Sequence, residues 1–287
     1  MNPIAPLSDY QEVSLTQGTV RYRDQGTGPT LVFIHGLFLN SALWRDVISR
    51  LFEQFRCIAP DLPLGGHFPP LPSNADLTPL GIAQLVADFL EALDLHDVTL
   101  VGNDTGGAIC QLTIAQHPER ITRLVLTNCD AFEHFFPPLI NPLHYGAFFF
   151  GNSFTNLFAW VLRFRFTQRL LMASITYRHQ DLPLLDTYFT PLIHEAGVRR
   201  NVTGFLRAVS SRYTLEAAQS FPNFRHPVLI LWGKNDFFFT SRFAVRLQKA
   251  FPNAVLEFLP HSRALVPEDQ PGPLAQRIRE FVGHETP

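Results

Sequence analysis

Apolar and polar positions along the 287-residue chain fall into two alternating periods. Val98-Thr99-Leu100-Val101 is β-branched and apolar, which predicts a strand buried on both faces of a parallel sheet. Ala108 to Ile114 follows it as a helix-compatible run that Pro118 stops. Upstream, Trp44, Val47, Ile48, Leu51, Phe52 and Phe55 recur at helical spacing behind Ser41, a suitable N-cap. Ile82, Leu85, Val86, Phe89, Leu90 and Leu93 repeat the spacing behind Thr78-Pro79, a cap with proline at the first helical position. Gln11 to Gly18 and Thr19 to Gly26 read as an antiparallel pair. Thr30 to His35, the stretch entered at Cys57, Ile121 to Thr127, Pro227 to Trp232 and Ala254 to Leu259 read as further strands. Helices are expected from about Ser41, Thr78, Ser241 and Gln270. Strands alternating with helices through short connections predict an α/β fold, an eight-stranded, mostly parallel sheet covered on both faces.

The alternation breaks between the sixth and seventh strands. About ninety residues there are rich in phenylalanine, and so long a stretch cannot be loop. The expected division is a core of residues 1–130 and 225–287 with a helical cap, residues 131–224, over the carboxyl ends of the strands. Most of the cap's rings should form its own core, and those facing the sheet should wall an apolar pocket.

With 46% hydrophobic and 17% charged residues the chain can bury one large core and an insertion. A net charge of −2 gives no reason to expect nucleic acid. The stretch from Phe148 to Phe166 is interrupted by Gly151, Asn152, Ser153, Thr155 and Asn156 and carries Arg163 and Arg165, so it is a poor membrane span. Cys57, Cys110 and Cys129 show no metal or redox spacing and are expected to be reduced core residues of a cytoplasmic protein. Asn201-Val202-Thr203 matches a glycosylation sequon, but no secretory signal accompanies it. The expected partner is a small hydrophobic substrate, with no metal, cofactor, nucleic acid or membrane.

Candidate chemistry centres on Gly102-Asn103-Asp104-Thr105-Gly106. Strand, Gly-x-Asp-x-Gly, helix is the nucleophile-elbow pattern with aspartate where serine usually stands. The glycines allow a sharp turn, so the central side chain stands out at the strand end. The amides of the helix start point to the same spot and favour negative charge there.

Five landmarks in order, namely the strand ending in His35-Gly36, then Asp61-Leu62-Pro63, the elbow at Asp104, the cap, and Trp232-Gly233-Lys234-Asn235-Asp236, resemble the α/β-hydrolase family along the whole chain. The elbow aspartate resembles its haloalkane dehalogenase and epoxide hydrolase branch. The resemblance implies that Asp104 is the nucleophile and that the amides of Leu37 and Thr105 form the oxyanion hole. Asp236 is the implied acid that orients a histidine, with Asp130 as a second possible acid.

That chemistry leaves an alkyl ester on the carboxylate, and water must then be activated by a base near neutrality. The family places its histidine before a closing Glu-Asp-x-Pro pattern. The ungapped match here, through Pro267-Glu268-Asp269-Gln270-Pro271, puts Ala264 at that position. His261 lies three residues early and is the candidate displaced base; His67 and His35 lie near other strand ends, His35 as a loop-packing residue. Leu37 and Thr105 also replace the halide-binding asparagine and tryptophan of dehalogenases. Tyr145, Tyr177, Tyr188 and Tyr213 are candidates for the cap tyrosines of epoxide hydrolases. Three functions stay open: a hydrolase for an epoxide or related electrophile, a lyase or cyclase using Asp104 as general base, and a degenerate hydrolase that only binds a hydrophobic ligand.

Overall fold

The computed structural model describes residues 8–283. Its eight strands are β1 Tyr10–Leu15, β2 Gly18–Gln25, β3 Thr30–Ile34, β4 Arg56–Pro60, β5 Val98–Asp104, β6 Ile121–Cys129, β7 Val228–Gly233 and β8 Ala254–Leu259. They form one sheet in the order β1-β2-β4-β3-β5-β6-β7-β8. β1 with β2 and β2 with β4 are antiparallel, and all other neighbours are parallel. The central strands are the uniformly apolar ones: Leu31 to Ile34 and Val228 to Trp232 are 1% exposed or less, because helices cover both faces. The edge strand β1 exposes Gln11, Glu12 and Ser14, whereas the other edge, β8, exposes Val255 and Phe258.

The helices are α1 Arg45–Ile48, α2 Pro79–Ala92, α3 Thr105–Gln116, α4 Asn141–Phe150, α5 Asn152–Val161, α6 Arg165–Ile175, α7 Leu182–His194, α8 Ala196–Ala208, α9 Ser211–Ala218, α10 Ser241–Ala250, α11 Val266–Asp269 and α12 Pro271–Gly283. α2 starts as its sequence predicts: the Thr78 hydroxyl accepts from the Gly81 amide and Pro79 opens the first turn.

The long helix expected from Ser41 is not formed. Ser41–Trp44 is a 3-10 turn, and only α1 is α-helical. Its cap is Asn40, whose side chain accepts from the Ala42 amide. The Ser41 amide is taken instead by the Asp61 carboxylate at 2.8 Å. Beyond α1, the Ser49 hydroxyl donates to the Asp46 carbonyl and competes with helical continuation. The apolar stripe still faces inward: Trp44, Val47, Ile48 and Leu51 are at most 1% exposed.

Between β6 and β7 the chain forms α4 to α9. α4, α5, α7 and α8 pack on one another, whereas α9 lies against α3 beside the sheet. The cysteines are free and buried. Asn201 is completely buried, its side chain bonded to the Leu71 backbone, which closes the sequon to a glycan. Among the described residues no helix is long and apolar enough to cross a membrane.

Candidate active site

β5 passes into α3 at Asp104, whose backbone has φ 57° and ψ −135°. A side chain at positive φ is strained, and here the neighbours leave the turn no room to relax. A Cβ on Gly106 would lie 2.4 Å from the carbonyl oxygens of Ile34 and His35, and one on Gly107 would lie 2.4 Å from Cys129 Cβ. These glycines serve close approach, and they press the first turn of α3 against the ends of β3 and β6.

Asp104 Oδ1 accepts from the Leu37 amide at 3.0 Å and the Thr105 amide at 2.7 Å. Sequence had assigned these two donors to an oxyanion hole, and the structure turns both onto one carboxylate oxygen. Oδ2 takes no hydrogen bond among the described residues. Burial raises the pKa of Asp104 above the ordinary carboxylate value, while the amide bonds oppose the rise. The approach of Gly36 permits this arrangement, since a Cβ there would stand 2.4 Å from Oδ1.

Asp130 lies beside this pair. It is 1% exposed. Its Oδ2 accepts from the Thr105 hydroxyl at 3.2 Å, and Oδ1 has no partner. Burial first, and then the charge on Asp104, push its pKa well above the ordinary value. Like charges so placed do not both ionise. Of the two, Asp104 has the amide donors that favour a charge, and Asp130 has only the Thr105 hydroxyl.

Asp236 also stands at a strand end, but it does not line the cavity over Asp104. Its carboxylate accepts from Asn128 Nδ2 at 2.7 Å and from the Phe238 amide at 2.8 Å. Burial raises its pKa to about 6, these hydrogen bonds lower it, and the charge on Asp104 adds to the rise.

Among the described residues no histidine lines the cavity. His261 sits in an exposed turn at φ 53°. Its amide donates to Asn235 Oδ1 and its carbonyl accepts from Gln270. Its ring makes no hydrogen bond among the described residues, so the structure does not bring it to Asp104. Ala264 is fully buried, and its carbonyl accepts from Asn103 Nδ2 at 2.8 Å. His35 and His67 are structural. His35 Nδ1–H donates to the Gly36 carbonyl while Nε2 accepts from the Leu62 amide. His67 Nδ1 accepts from the Gly65 amide and Nε2–H donates to Asn201. Burial pushes both down to about 4, so both are neutral and spent on loops.

The cavity has a volume of about 70 Å³, space for about two water molecules at liquid density. Asp104, Thr105 and Asp130 are the polar residues of its wall, which is otherwise apolar. Leu143 of α4, Leu171, Met172 and Ile175 of α6, and Phe189 of α7 close it from the side of the insertion. The four cap tyrosines are absent from that wall. Tyr188 is fully buried and donates to Glu268, and Tyr145 and Tyr177 are exposed.

A family model described as the alpha/beta hydrolase fold matches residues 29–270. The chain belongs to the alpha/beta hydrolase fold family. It is a hydrolase-type enzyme by that membership. The chain is 29% identical over 274 residues to "Haloalkane dehalogenase 2" of Mycobacterium tuberculosis, covering 93% of each chain. It is 28% identical over 276 residues to the "Cis-3-alkyl-4-alkyloxetan-2-one decarboxylase" of Shewanella oneidensis, covering 92% of this chain and 85% of that one. An alpha/beta hydrolase fold protein from Burkholderia ambifaria superposes with a TM-score of 0.83 at 20% identity, over 96% of this chain and 99% of the other.

Within this alpha/beta hydrolase, Asn128 was missed from the sequence. It fixes Asp236 and both backbone groups of Gly233. Asn103 was missed as well; its side chain ties β5 to Thr127, Asn128 and Ala264. The available signal was an asparagine at each of two neighbouring strand ends, where buried polar groups are retained only with partners.

Proposed function

We propose that Asp104 is a nucleophile that opens a strained oxygen ring, most simply a small apolar epoxide, with Asp130 as the acid and then the base. The observation that carries this reading is the Asp104–Thr105–Asp130 arrangement, two buried carboxyl groups joined through one threonine in an apolar cavity. Asp104 Oδ2 attacks the ring carbon, the carbon–oxygen bond breaks, and the ring oxygen takes the Asp130 proton. Asp104 becomes an alkyl ester whose carbonyl oxygen, Oδ1, already rests on two amides. The buried charge has moved to Asp130 with no change in total. That carboxylate removes a proton from water as water attacks the ester, which restores protonated Asp130; the hydroxyl now on the ester carbon passes its proton to the departing alkoxide, releasing the diol and the Asp104 carboxylate. No histidine takes part, and no cap tyrosine is required to protonate the ring oxygen.

A second reading is favoured by the histidine-free wall together with the likeness to a protein named as an oxetanone decarboxylase. Asp104 would open a β-lactone at its alkyl carbon and release the ring oxygen as a carboxylate. Loss of carbon dioxide would then expel Asp104 and leave an alkene, without water or base.

Incubation with a short 1,2-epoxide and a cis-dialkyl β-lactone in ¹⁸O-water separates the readings. The epoxide reading expects a diol, an intact-protein mass increase equal to the epoxide during turnover, and ¹⁸O appearing in Asp104 over successive cycles. Alkene and carbon dioxide from the lactone, with no diol from the epoxide, establish the second. Neither product, together with an unmodified Asp104, refutes both.

A further inference from the structure

We propose that the outer face of α4, α5 and α6 docks on the surface of an anionic lipid bilayer. This face is built unlike the rest of the molecule. Phe149, Phe150 and Phe166 are 71%, 69% and 75% exposed, and Leu157, Trp160 and Leu170 are each more than half exposed. They follow a line. Phe149 and Phe150 end α4, Leu157 and Trp160 lie three residues apart along α5, and Phe166 and Leu170 lie four residues apart along the first half of α6. Scattered single apolar residues need no explanation, but a run of large rings along three consecutive helices marks an interaction surface.

Charge decides which partner. No aspartate or glutamate occurs between Glu133 and Asp181, while Arg163, Arg165, Arg169 and Arg178 do, in a chain whose net charge is −2. Arg165 pairs with Asp186 and Arg178 with Asp46. Arg163 and Arg169 are exposed and have no ion-pair partner among the described residues. A second copy docked through the same face would bring these arginines against their own counterparts. A bilayer carrying negative headgroups takes the rings at its acyl boundary and leaves the guanidinium groups among the headgroups. α5 has ten residues, too short to span and suited to lying in the interface.

The position of the surface gives it a use. Leu143 on α4 and Leu171, Met172 and Ile175 on α6 turn inward and wall the Asp104 cavity. The same helices therefore face lipid on one side and the cavity on the other, so an apolar substrate dissolved in the acyl layer meets the protein where the cavity closes. The proposal does not depend on which ring Asp104 opens. It replaces the expectation of no membrane partner with a peripheral one.

Flotation with phosphatidylcholine–phosphatidylglycerol vesicles tests it, with phosphatidylcholine vesicles alone as the control. Trp160 supplies an internal reporter, since Trp44 and Trp232 are fully buried. The full chain should float with the mixed vesicles, and its tryptophan emission should shift to the blue. Trp160→Phe should remove the shift and keep the flotation. Phe149→Ser combined with Phe166→Ser should abolish flotation, and Arg163→Gln or Arg169→Gln should each weaken binding about five-fold. Three outcomes overturn the proposal: no flotation with mixed vesicles, equal flotation of the double serine variant, or a dimer that the serine variant disperses in the absence of vesicle binding.

Discussion

Asp236→Asn separates an acid that works through a histidine from one that works alone. Where a triad acid orients its histidine, the aspartate-to-asparagine change drops kcat by about 10⁴. Here Asn128 and the Phe238 amide occupy the Asp236 carboxylate, and among the described residues no histidine lines the cavity. The rate of ester release from Asp104 should therefore change less than about ten-fold. Stability gives an independent reading. A rise from 3.8 to about 6 corresponds to about 3 kcal/mol, which solvent at this partly exposed carboxylate reduces to about 1–2 kcal/mol. Because the folded pKa is the higher one, the contribution is complete below pH 3.8 and is lost as pH rises through about 6. The asparagine variant lacks this dependence. On acidification from pH 7 to 4, the wild type should thus gain about 1–2 kcal/mol on the variant. His35 and His67 titrate with the opposite sign over much of this range, but both proteins contain them, so the difference isolates Asp236. At pH 7 the variant also loses the charge-assisted bond from Asn128, worth about 1.5–3 kcal/mol. Urea midpoints across pH, read beside single-turnover mass spectrometry, supply both quantities. A loss of about 10³-fold in ester release, or a stability difference flat in pH, would refute the reasoning.

Asp130→Asn removes the proposed proton donor while keeping an acceptor for the Thr105 hydroxyl. Epoxide opening should fall about 10²–10⁴-fold, and an alkyl halide, whose leaving group needs no proton, should still esterify Asp104; equal loss on both substrates rejects the acid role. Ala264→His should speed release of an Asp104 ester by up to about 10²–10⁴-fold at about 1–3 kcal/mol of stability for overpacking a filled site, with both read from ester decay and urea midpoint. His261→Ala should leave turnover unchanged, and its loss of activity would restore a displaced histidine base. Gly36→Ala drives a methyl group to 2.4 Å from Asp104 Oδ1, so ester formation should become undetectable by intact mass while circular dichroism reports a folded protein.

The sheet, the helices packed around it and the elbow were readable in the chain because each rests on local rules. Uniform apolar runs specify central strands, helical spacing specifies faces, and glycines around Asp104 specify a turn that larger residues cannot make. Thr78-Pro79 predicted its helix start for the same reason. Ser41 failed as a cap because its amide is held by Asp61, twenty residues away, and that contact has no local signature. The cap tyrosines likewise could be counted but not aimed. Tyr188 turned out to serve Glu268 across the fold.

The choice between the two acids was a tertiary decision. Both Asp130 and Asp236 follow strands that sequence located, so each could have faced Asp104. The register of β5 on β6 shifts between Gly102 and Asp104, which pair with Leu126 and Cys129. This irregularity sets two steps of β5 against three of β6. It takes up one extra residue of β6, so Asp130 falls level with Thr105 and accepts from its hydroxyl inside the cavity. Asp236 is retained by Asn128 at the end of the neighbouring strand. Sequence order names the residues at strand ends, but pairing register sets how far each strand reaches, and here that reach placed one carboxyl group beside Asp104 and left the other behind Asn128.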